Sequence, residues 1–541
     1  MKASLESITS VTARYSQVAN NFDPEPKTGV VGMPETHANP WEILLRYART
    51  IRYLKPIQIY SRFRPRPLLG KLSKVARLRA VPGEWVGPLP KHCAQTGPKR
   101  FRFLNQEREI EAWNGESIPK LWLYNLHYFD FVDEALVRRW IAENPVGQGI
   151  GWDPYPTSIR IANWCKWILS GARAEPDVCN SIATQAAWLE RHIERHLLAN
   201  HLLANAKALL FAGSILDNAE ADHWCRIGLQ IYQEQLPKQI LSDGAHVERS
   251  PMYHSIILED LLDVCNLNRA FDRHITDFPS YSSQMLNWLN HMTHPDGEIS
   301  LFNDAAFGVA PKFSSLEAYG WRLGIRPMTH RLGESGYLRI ENDSTVIIFD
   351  AAPLGPDYQP GHGHADTLSF ELSSRGHRIF VNSGTSTYEQ NSLRNYERGT
   401  AAHNTIRIDG LDQSEVWASF RVARRAHPFD VHTDHRSFAE AAHDGYHRLC
   451  SKVTHRRRID LNGNMVTITD RLEGSGHHSA ELFFHLAPNA DPELHIDPML
   501  SCSIITSAFS TGWNTRIPNR VIVGRWSGQC PVELVTRVKL V

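Results

Sequence analysis

The sequence lacks the features that would assign it to a membrane, nucleic-acid-binding or disulfide-stapled class. Its 541 residues contain no apolar run of the roughly 18 residues that a membrane span needs. Lysine plus arginine number 58, as do aspartate plus glutamate, so no overall basic field favours nucleic acid, although an acidic ligand would need a local basic patch. The eight cysteines are scattered without a CxxC pair; we expect buried thiols, with disulfides left open.

Motifs of several common enzyme classes are also missing. There is no GxSxG elbow, no P-loop, no GxGxxG after a strand and no HExxH, which argues against α/β-hydrolases, P-loop NTPases, dinucleotide-binding folds and zincins. No predicted helix or strand presents an obvious carboxylate pair, so glycoside hydrolysis is not indicated but stays open. Met1–Phe22 is mostly polar and lacks the apolar core of a signal peptide. The expected compartment is therefore the cytoplasm, with export by another route left open.

What the sequence does contain is typical of a multidomain globular protein. Hydrophobic residues make up 42% and charged residues 21%, and the length predicts two to four domains. The composition changes twice along the chain. We therefore expect a flexible polar tail over residues 1–36, a helical domain over 37–330 and an antiparallel β domain over 331–541.

The helical domain is predicted from apolar residues at spacings of three and four. Pro40 is expected to open a helix through Leu54, and Tyr60–Ala80 is a basic, proline-broken stretch that predicts either a solvated connector or a surface for an anionic partner. Further helices are predicted over Ile159–Leu169, Ile182–Leu198, Asn200–Ala212, Ala219–Leu236, Ser255–Leu267 and Tyr281–His291. Successive helical hairpins joined by short loops predict an (α/α) toroid or solenoid.

The β domain is predicted from alternating or β-branched segments separated by Gly, Asn and Asp turns, such as Asn462-Gly463-Asn464. The predicted strands are Gly336–Ile340, Ser344–Phe349, Arg378–Val381, Thr405–Ile408, Met465–Ile468 and Ala480–Leu486. The fold class expected is therefore a multidomain α+β protein, with the toroid followed by an antiparallel β-sandwich and a ligand cleft at their junction.

The stretch Gly361–Phe370 holds the densest set of polar groups. His362, His364 and Asp366 alternate, so on an extended strand they would share one face. Such a set suits a proton relay or a metal site. A polar strand edge with solvated histidines is the alternative.

Five other stretches offer groups that could meet this one. Asn200-His201 interrupts an apolar helical run, as a helix cap or as an amide donor for a carboxylate. Tyr253 lies in the first turn of a helix predicted to begin near Pro251, where the helix dipole could stabilise a phenolate. The alternative is a half-buried packing residue. Between the Ser383-Gly384 turn and His403-Asn404, the arginines Arg394 and Arg398 could bind an acidic ligand. The alternative for both stretches is ordinary turns with solvated polar residues. Arg160, Asn163 and Trp164 would suit a sugar-binding wall or ordinary packing.

Taken together, these stretches resemble the heparinase II/III family of polysaccharide lyases over roughly residues 120–480. The matching segments are Asn200-His201, Asp243–His254, His362–Phe370, Ser383-Gly384-Thr385 and His403-Asn404-Thr405. Residues around Arg49–Arg64 also look like family members encoded with bacterial exopolysaccharide genes. The resemblance implies the toroid and sandwich that the patterns predict.

The resemblance further implies β-elimination at a uronic acid. Asn200, helped by His201, would bind the uronate carboxylate and stabilise the aci-carboxylate intermediate. Tyr253 would act as the base on C5 or as the acid on the leaving O4, with His362 handling the other proton. Cleavage without water would leave a C4–C5 double bond. The residues expected to bind substrate are Arg160, Asn163, Trp164, Glu248, His254, Tyr388, Arg394 and Arg398.

The family's metal site, where present, is a His-Asp-His set. By motif position it would consist of His364, residue 382 and His403, but residue 382 is Asn. Because Asn is an uncharged and poorer ligand, two alternatives stay open. Either the site holds no metal, or Asp366 supplies the missing carboxylate to one zinc ion.

The expected partner is an anionic polysaccharide, either glycosaminoglycan-like or a bacterial exopolysaccharide. No nucleic acid and no membrane span are expected, and the resemblance allows a periplasmic or secreted protein. Two other functions stay open: a non-catalytic glycan-binding or assembly protein, and a glycoside hydrolase on the same scaffold.

Overall fold

The computed structural model describes residues 40–63, 76–115, 117–273, 277–329 and 331–540, which all belong to one compact unit. The predicted tail over residues 1–36 and most of the basic stretch that begins at Tyr60 lie outside the described residues. Among those described, no helix combines the length and apolar composition that crossing a bilayer would require.

Helices dominate the described chain as far as Arg322. They are α1 (Pro40–Ile51), α2 (Pro56–Phe63), α3 (Lys120–Tyr128), α4 (Glu134–Glu143), α5 (Pro154–Leu169), α6 (Pro176–Arg191), α7 (Ala199–Ile215), α8 (Ala221–Gln239), α9 (Pro251–Ala270), α10 (Asp277–His291) and α11 (Phe313–Arg322). Short strands accompany them: β1 (Arg77–Leu78), β2 (Gln95–Gly97), β3 (Arg100–Phe103), β4 (Gln106–Glu109) and β5 (Leu216–Asp217). Several helices begin as their sequences dictate. In α9, the Ser250 hydroxyl caps the Tyr253 N–H at 3.2 Å and Pro251 occupies the first turn.

Helix α7 is the centre of the helical region. Every one of its residues except His201 is buried, which is the pattern of a helix surrounded by others. It packs against α5, α6, α8 and α9. Gly228 of α8 permits this closeness, because a Cβ there would lie 2.7 Å from the Ala206 carbonyl oxygen. His201 is therefore the residue through which this core helix reaches a polar surface.

Antiparallel sheets form the rest of the described chain. The strands are β6 (Tyr337–Glu341), β7 (Thr345–Asp350), β8 (Phe370–Ser374), β9 (His377–Phe380), β10 (Ile406–Ile408), β11 (Val416–Trp417), β12 (Arg421–Val422), β13 (Pro428–Thr433), β14 (Phe438–Tyr446), β15 (Val453–Asn462), β16 (Met465–Gly474), β17 (His477–His485), β18 (Glu493–Ile496), β19 (Ser501–Gly512), β20 (Thr515–Gln529) and β21 (Val532–Lys539). One short helix, α12 (Ser392–Arg398), interrupts them.

Three of these sheets share one apolar core. Their strand orders are β6-β7-β8-β9, β10-β17-β20-β19 and β13-β14-β15-β16-β21-β18, and all three contribute buried side chains to a common cluster. The predicted turn at Asn462-Gly463-Asn464 joins β15 to β16, with Gly463 at a φ of 60°. The architecture is the predicted one, an (α/α) toroid followed by an antiparallel β-sandwich.

Two expectations need correction. Residues Gly361–Ser369, considered above as an extended strand, form an irregular loop, and β8 begins only at Phe370. The cysteines are all free, but Cys93, Cys450 and Cys502 are exposed rather than buried.

Candidate functional site

The site lies where helix starts and loops of the two regions meet. Asn200 is in the first turn of α7 and Tyr253 in the first turn of α9. His362 lies in the loop between β7 and β8, and Asp304 lies in the loop between α10 and α11. These segments are distant in sequence, and hydrogen bonds or ring contacts link them as described below.

Asn200 is paired with Glu248. The amide nitrogen Nδ2 lies 3.3 Å and 3.2 Å from the two carboxylate oxygens, and the backbone N–H of Asn200 is 3.4 Å from Oε1. The two oxygens belong to one carboxylate and lie in nearly the same direction from Nδ2, so one of its two hydrogens serves both and the other is left for a ligand. Glu248 Oε2 also lies 3.7 Å from His362 Nε2. Glu248 therefore joins the amide to the imidazole.

Tyr253 and His362 are in direct ring contact. Their ring centroids are 3.9 Å apart at an interplanar angle of 30°. The Tyr253 hydroxyl lies 2.9 Å from the Tyr388 hydroxyl, which in turn is 3.5 Å from His362 Nδ1. Burial, with the Asp304 charge as a second cause, raises the pKa of Tyr253 well above its ordinary value. Tyr253 thus keeps its proton in the structure as it stands.

Asp304 is the hub behind the imidazoles. Its carboxylate accepts from His362 Nδ1 at 2.8 Å and from His364 Nε2 at 2.9 Å, and Arg394 binds it with both terminal nitrogens. Burial opposes ionisation, but Arg394 and the two histidines outweigh it and hold the pKa of Asp304 well below its ordinary value. The hub is therefore a permanent carboxylate, and it fixes the N–H of His362 on Nδ1.

His201 forms a second charged contact beside the amide. Its Nδ1 lies 3.1 Å from Glu194 Oε1, and its ring contacts that of Tyr155 at a tilt of 45°, with centroids 4.5 Å apart. Burial lowers the pKa of His201, but the Glu194 charge and hydrogen bond outweigh burial and raise it above its ordinary value. Its side chain keeps 28% of its surface exposed and that of His362 keeps 13%, so the site is open to solvent.

Strained backbone flanks the site. Ala199, Asn303 and Arg249 have φ values of 41°, 54° and 56°, and they adjoin the amide, the aspartate and the glutamate just described. Non-glycine residues in this region cost about 1–3 kcal/mol each and cluster at functional sites. Asn303 is held by its own side chain, which donates to the Arg249 carbonyl at 3.1 Å and accepts from the His364 N–H at 2.9 Å.

Three buried side chains beside the hub could hold a metal ion. His364, Asp366 and His403 each offer a ligand atom, and these atoms lie within 4.8 Å of one another. Both ring nitrogens of His403 and Nδ1 of His364 have no hydrogen-bond partner among the described residues. Burial raises the pKa of Asp366 to about 6 and lowers that of His364 to about 4. Unpartnered buried imidazole nitrogens next to a carboxylate fit a divalent ion such as zinc.

Asn382, the ligand expected from motif position, is engaged elsewhere. Its Oδ1 accepts from the Ser369 hydroxyl at 2.8 Å and from the Asn404 N–H at 3.4 Å. The carboxylate that accompanies the two histidines is that of Asp366.

The expected sugar-binding wall at Arg160, Asn163 and Trp164 is corrected by the structure. Arg160 is fully buried, stacks 3.8 Å from the Trp140 ring and donates to Gln185 at 2.9 Å. Trp164 is also fully buried. Asn163 is 7% exposed and donates to the Tyr128 carbonyl and to Asp130. These side chains contact neighbouring helices instead of solvent. Their burial and internal hydrogen bonds leave no surface for a sugar.

His254 is likewise not exposed to a ligand. It is fully buried, accepts from the His246 N–H at 3.2 Å and lies 2.9 Å from the Met285 carbonyl. Burial lowers its pKa to about 3. The expectation that it contacts substrate is therefore corrected, and it supports the loop that carries Glu248.

Arg394 and Arg398 are buried behind the site rather than exposed within it. Arg394 binds Asp304, as described above. Arg398 donates to the Gly363 carbonyl at 3.2 Å and 2.9 Å, which fixes the loop between His362 and His364. Both were expected to bind an acidic ligand. Instead, Arg394 binds the internal carboxylate of Asp304 and Arg398 binds a backbone carbonyl. Their role is therefore to position the site.

Asp304 is the main functional residue that the sequence analysis missed. The signal was weak: an Asn-Asp pair after the apolar run Ile299–Phe302. Such a pair is ordinary turn chemistry. Its partners are about 60 and 90 residues further along the chain, so spacing could not reveal them.

The chain is similar to two curated heparin-sulfate lyases. It is 24% identical to that of Pedobacter heparinus over 331 residues, which are 51% of this chain and 49% of the relative. It is 27% identical to that of Bacteroides thetaiotaomicron over 257 residues, or 39% of this chain and 36% of the relative. The chain thus spans half or less of the length of these curated relatives.

Solved structures share the fold. The crystal structure of heparinase III superposes with a TM-score of 0.62 at 19% identity, covering 78% of this chain and 76% of that one. Heparan sulfate lyase HepC from Pedobacter heparinus gives a TM-score of 0.53 at 18% identity, covering 78% of this chain and 75% of the other.

Two family models match consecutive parts of the chain. The heparinase II/III N-terminus model matches residues 117–315, and the heparinase II/III-like C-terminal model matches residues 325–538. These ranges contain every residue of the site. The chain belongs to the heparinase II/III-like family.

Proposed function

We propose that this protein is a polysaccharide lyase that cleaves a uronic-acid-containing, glycosaminoglycan-like polysaccharide by β-elimination. The observation that carries the proposal is the convergence of Asn200, Tyr253 and His362, with Asp304 behind the imidazole. The relatives named heparin-sulfate lyase support the substrate class.

The first requirement of the reaction is neutralisation of the uronate carboxylate, which makes the C5 proton acidic enough to remove. The free N–H of Asn200 supplies one donor, since Glu248 uses the other. His201 is suited to add positive charge when protonated, because the Glu194 charge and hydrogen bond outweigh burial and raise its pKa above its ordinary value. Preorganised donors of this kind stabilise charge that develops in the transition state.

His362 suits the role of base. Because its Nδ1–H donates to Asp304, Nε2 carries the lone pair that can accept the C5 proton. The electron pair of the broken C5–H bond becomes the C4–C5 double bond as the C4–O4 bond breaks.

Tyr253 suits the role of acid. Its pKa is raised by burial, so it holds a proton that it can give to the leaving O4. The proton lost by Tyr253 is balanced by the proton gained by His362, and the Tyr388 hydroxyl, 2.9 Å from that of Tyr253, can donate a hydrogen bond to the phenolate. No water is consumed.

His364, Asp366 and His403 would hold one zinc ion in this proposal. When bound, the ion would supply positive charge that fixes the loop of His362 and balances the buried Asp366 carboxylate.

A glycoside hydrolase needs a carboxylic acid that retains its proton near neutral pH. Asp304 cannot serve, because Arg394 and the two histidines hold its pKa well below its ordinary value. Burial raises the pKa of Asp366 to about 6, but that carboxyl is only 2% exposed and accepts from the Asn303 N–H at 3.1 Å, away from any ligand. A non-catalytic glycan-binding protein would have no use for the tyrosine and imidazole in contact. The site therefore favours elimination.

The experiment is incubation of the purified chain with a panel of polysaccharides: heparan sulfate, heparin, chondroitin sulfate, hyaluronan and uronate-containing bacterial exopolysaccharides. We expect ultraviolet absorbance from unsaturated uronate on at least one polymer. Mass spectrometry should show products lighter by one water than hydrolytic products.

Two variants provide the comparison. Tyr253→Phe and His362→Ala should each lower the rate by about 10²–10⁴-fold. Saturated products would establish a hydrolase, and oligosaccharide binding without turnover on the whole panel would establish a binding protein; either result would refute the proposal.

A further inference from the structure

A cleft outside the site described above is lined by an unusual number of arginines. Arg49 and Arg52 of the N-terminal helical segment face Arg424, Arg425 and Arg448 of the β region across a volume of about 280 Å³. Tyr53 completes the wall between the two groups. We call this feature the arginine cleft.

The positive charge of the five arginines is not balanced by carboxylates in the lining of the arginine cleft. The one lining carboxylate is Asp444, which already accepts from the His427 N–H at 2.7 Å and lies 3.3 Å from His427 Nδ1. Three further carboxylates nearby already contact these arginines. Asp357 accepts from Arg425 at 2.9 Å, and Glu42 lies 3.5 Å from Arg49. Glu415 lies 3.5 Å from Arg424 and 3.9 Å from Arg49. Five guanidinium groups therefore outnumber the carboxylates within reach.

Several of these guanidinium nitrogens have no hydrogen-bond partner among the described residues. They are Nε and Nη2 of Arg425, Nε and Nη1 of Arg448, and Nη1 of Arg49. The Arg425 side chain is only 3% exposed. A buried donor without a partner costs about 1–3 kcal/mol, and more when it is charged. Burial also lowers the pKa of Arg425 and Arg448. An anion in the arginine cleft would relieve this cost.

The arginine cleft is built from fixed parts. The Tyr53 ring lies between two guanidinium groups, 3.7 Å from that of Arg425 and 4.5 Å from that of Arg52. Helix α1 is anchored by Tyr47, whose ring meets Trp417 edge-on at 4.9 Å. The donors are thus preorganised, which lowers the entropic cost of binding.

The arginine cleft is also joined to the candidate site. Arg425 binds Asp357, which lies in the same loop as His362. In that loop, the Tyr358 carbonyl accepts from Gln58 of α2 at 3.0 Å, and Lys55 lies 3.3 Å from the Tyr358 ring. One loop therefore carries both the proposed base, His362, and the carboxylate of Asp357 that binds Arg425 of the arginine cleft.

We propose that the arginine cleft binds a carboxylate or sulfate group of an acidic saccharide, as an anion site separate from the Asn200–Tyr253–His362 site. Guanidinium groups match the planar, paired oxygens of such anions, and the volume suits one charged sugar unit rather than a bare ion. Where this saccharide is a further unit of the polymer to be cleaved, the inference rests on the proposed function.

The test measures binding separately from turnover. The full chain carrying Tyr253→Phe is titrated calorimetrically with a sulfated, uronate-containing tetrasaccharide, and in separate arms with inorganic sulfate and inorganic phosphate. Adding Arg52→Ser and Arg424→Ser should weaken tetrasaccharide binding at least tenfold and flatten its salt dependence. The matched control is Arg471→Ser with Arg525→Ser, two half-exposed arginines on the sheets, which should leave affinity unchanged.

Each outcome decides the inference. Unchanged affinity in the Arg52/Arg424 variant, or equal affinity for tetrasaccharide and inorganic anions, would overturn it. The paired Arg→Lys variant keeps the charge and checks folding; it should bind more weakly than the parent and more tightly than the serine variant. If the chain with Tyr253 intact cleaves no polymer but the serine variant loses tetrasaccharide binding, the proposed function fails and the anion site stands.

Discussion

His362 Nδ1 and Asp304 Oδ2 lie 2.8 Å apart, and Arg394 donates two hydrogen bonds to the same carboxylate. The imidazole is thereby held with Nε2 free to accept a proton. Asp304→Asn removes the charge that orients His362 and leaves Arg394 without its counter-ion. We expect kcat to fall by about 10²–10⁴-fold, the range found when a residue that orients a catalytic histidine is lost. Steady-state kinetics on the cleaved polymer would measure it.

The control for that variant is Asp460→Asn, which changes an exposed partner of Arg458 on β15. It should leave kcat unchanged. Asp304→Glu, which keeps the charge, should retain more activity than Asp304→Asn. Equal activity of Asp304→Asn and the parent chain would remove Asp304 from the proposed mechanism.

The fold class was predictable because it depends on local periodicity. Helix α7 and strand β7 are apolar runs bounded by turn residues, so their sequences alone predict them. Strands such as β19 (Ser501–Gly512) were missed because none of its first seven residues is buried, so no apolar face marks the strand. Their strand state depends on pairing with β20, which sequence patterns do not show.

The candidate site was predictable in part for a different reason. The polar groups of Asn200, Tyr253 and His362 interrupt apolar surroundings, and the family resemblance placed them together. Asp304 could not be found this way, because its importance comes from partners far along the chain. The prediction of a sugar-binding wall at Arg160 and Trp164 was wrong. A helix with Arg and Trp on one face has the same sequence pattern whether that face contacts a sugar or another helix.

Trp164 therefore offers a test of a structural role. Trp164→Leu removes a fully buried ring that packs edge-on against Phe129 and Trp140. We expect the free energy of unfolding to fall by about 2–4 kcal/mol, measured by chemical denaturation, with KM unchanged at temperatures where the variant is folded. Trp321→Leu, at a ring that is 54% exposed, should have a much smaller effect. A raised KM for Trp164→Leu would instead support the prediction that Trp164 belongs to a sugar-binding wall.

The proposed zinc site predicts a specific ligand set. Elemental analysis of the purified chain should find about one zinc ion per molecule. Asp366→Asn and His403→Ala should each lose it, because each removes one of the three grouped donors. Asn382→Ser should retain it, since the Asn382 oxygen is engaged by Ser369 and Asn404. Zinc loss in Asn382→Ser with retention in Asp366→Asn would reverse the assignment, and a parent chain without metal would refute it.

The His201–Glu194 pair predicts a dependence of stability on pH. The Glu194 charge outweighs burial and raises the pKa of His201 above its ordinary value of 6.5. A raised histidine pKa means that the folded chain binds the proton more tightly than the unfolded chain. The stabilisation is therefore complete below that ordinary value and is lost as pH rises through the raised pKa. His201→Gln should cost more stability at pH about 6 than at pH about 9, by chemical denaturation. His223→Gln, at an exposed pair with Glu190, should cost little at either pH. An equal loss for His201→Gln at both pH values would show that the imidazole is neutral and would remove its charge from the proposed carboxylate recognition.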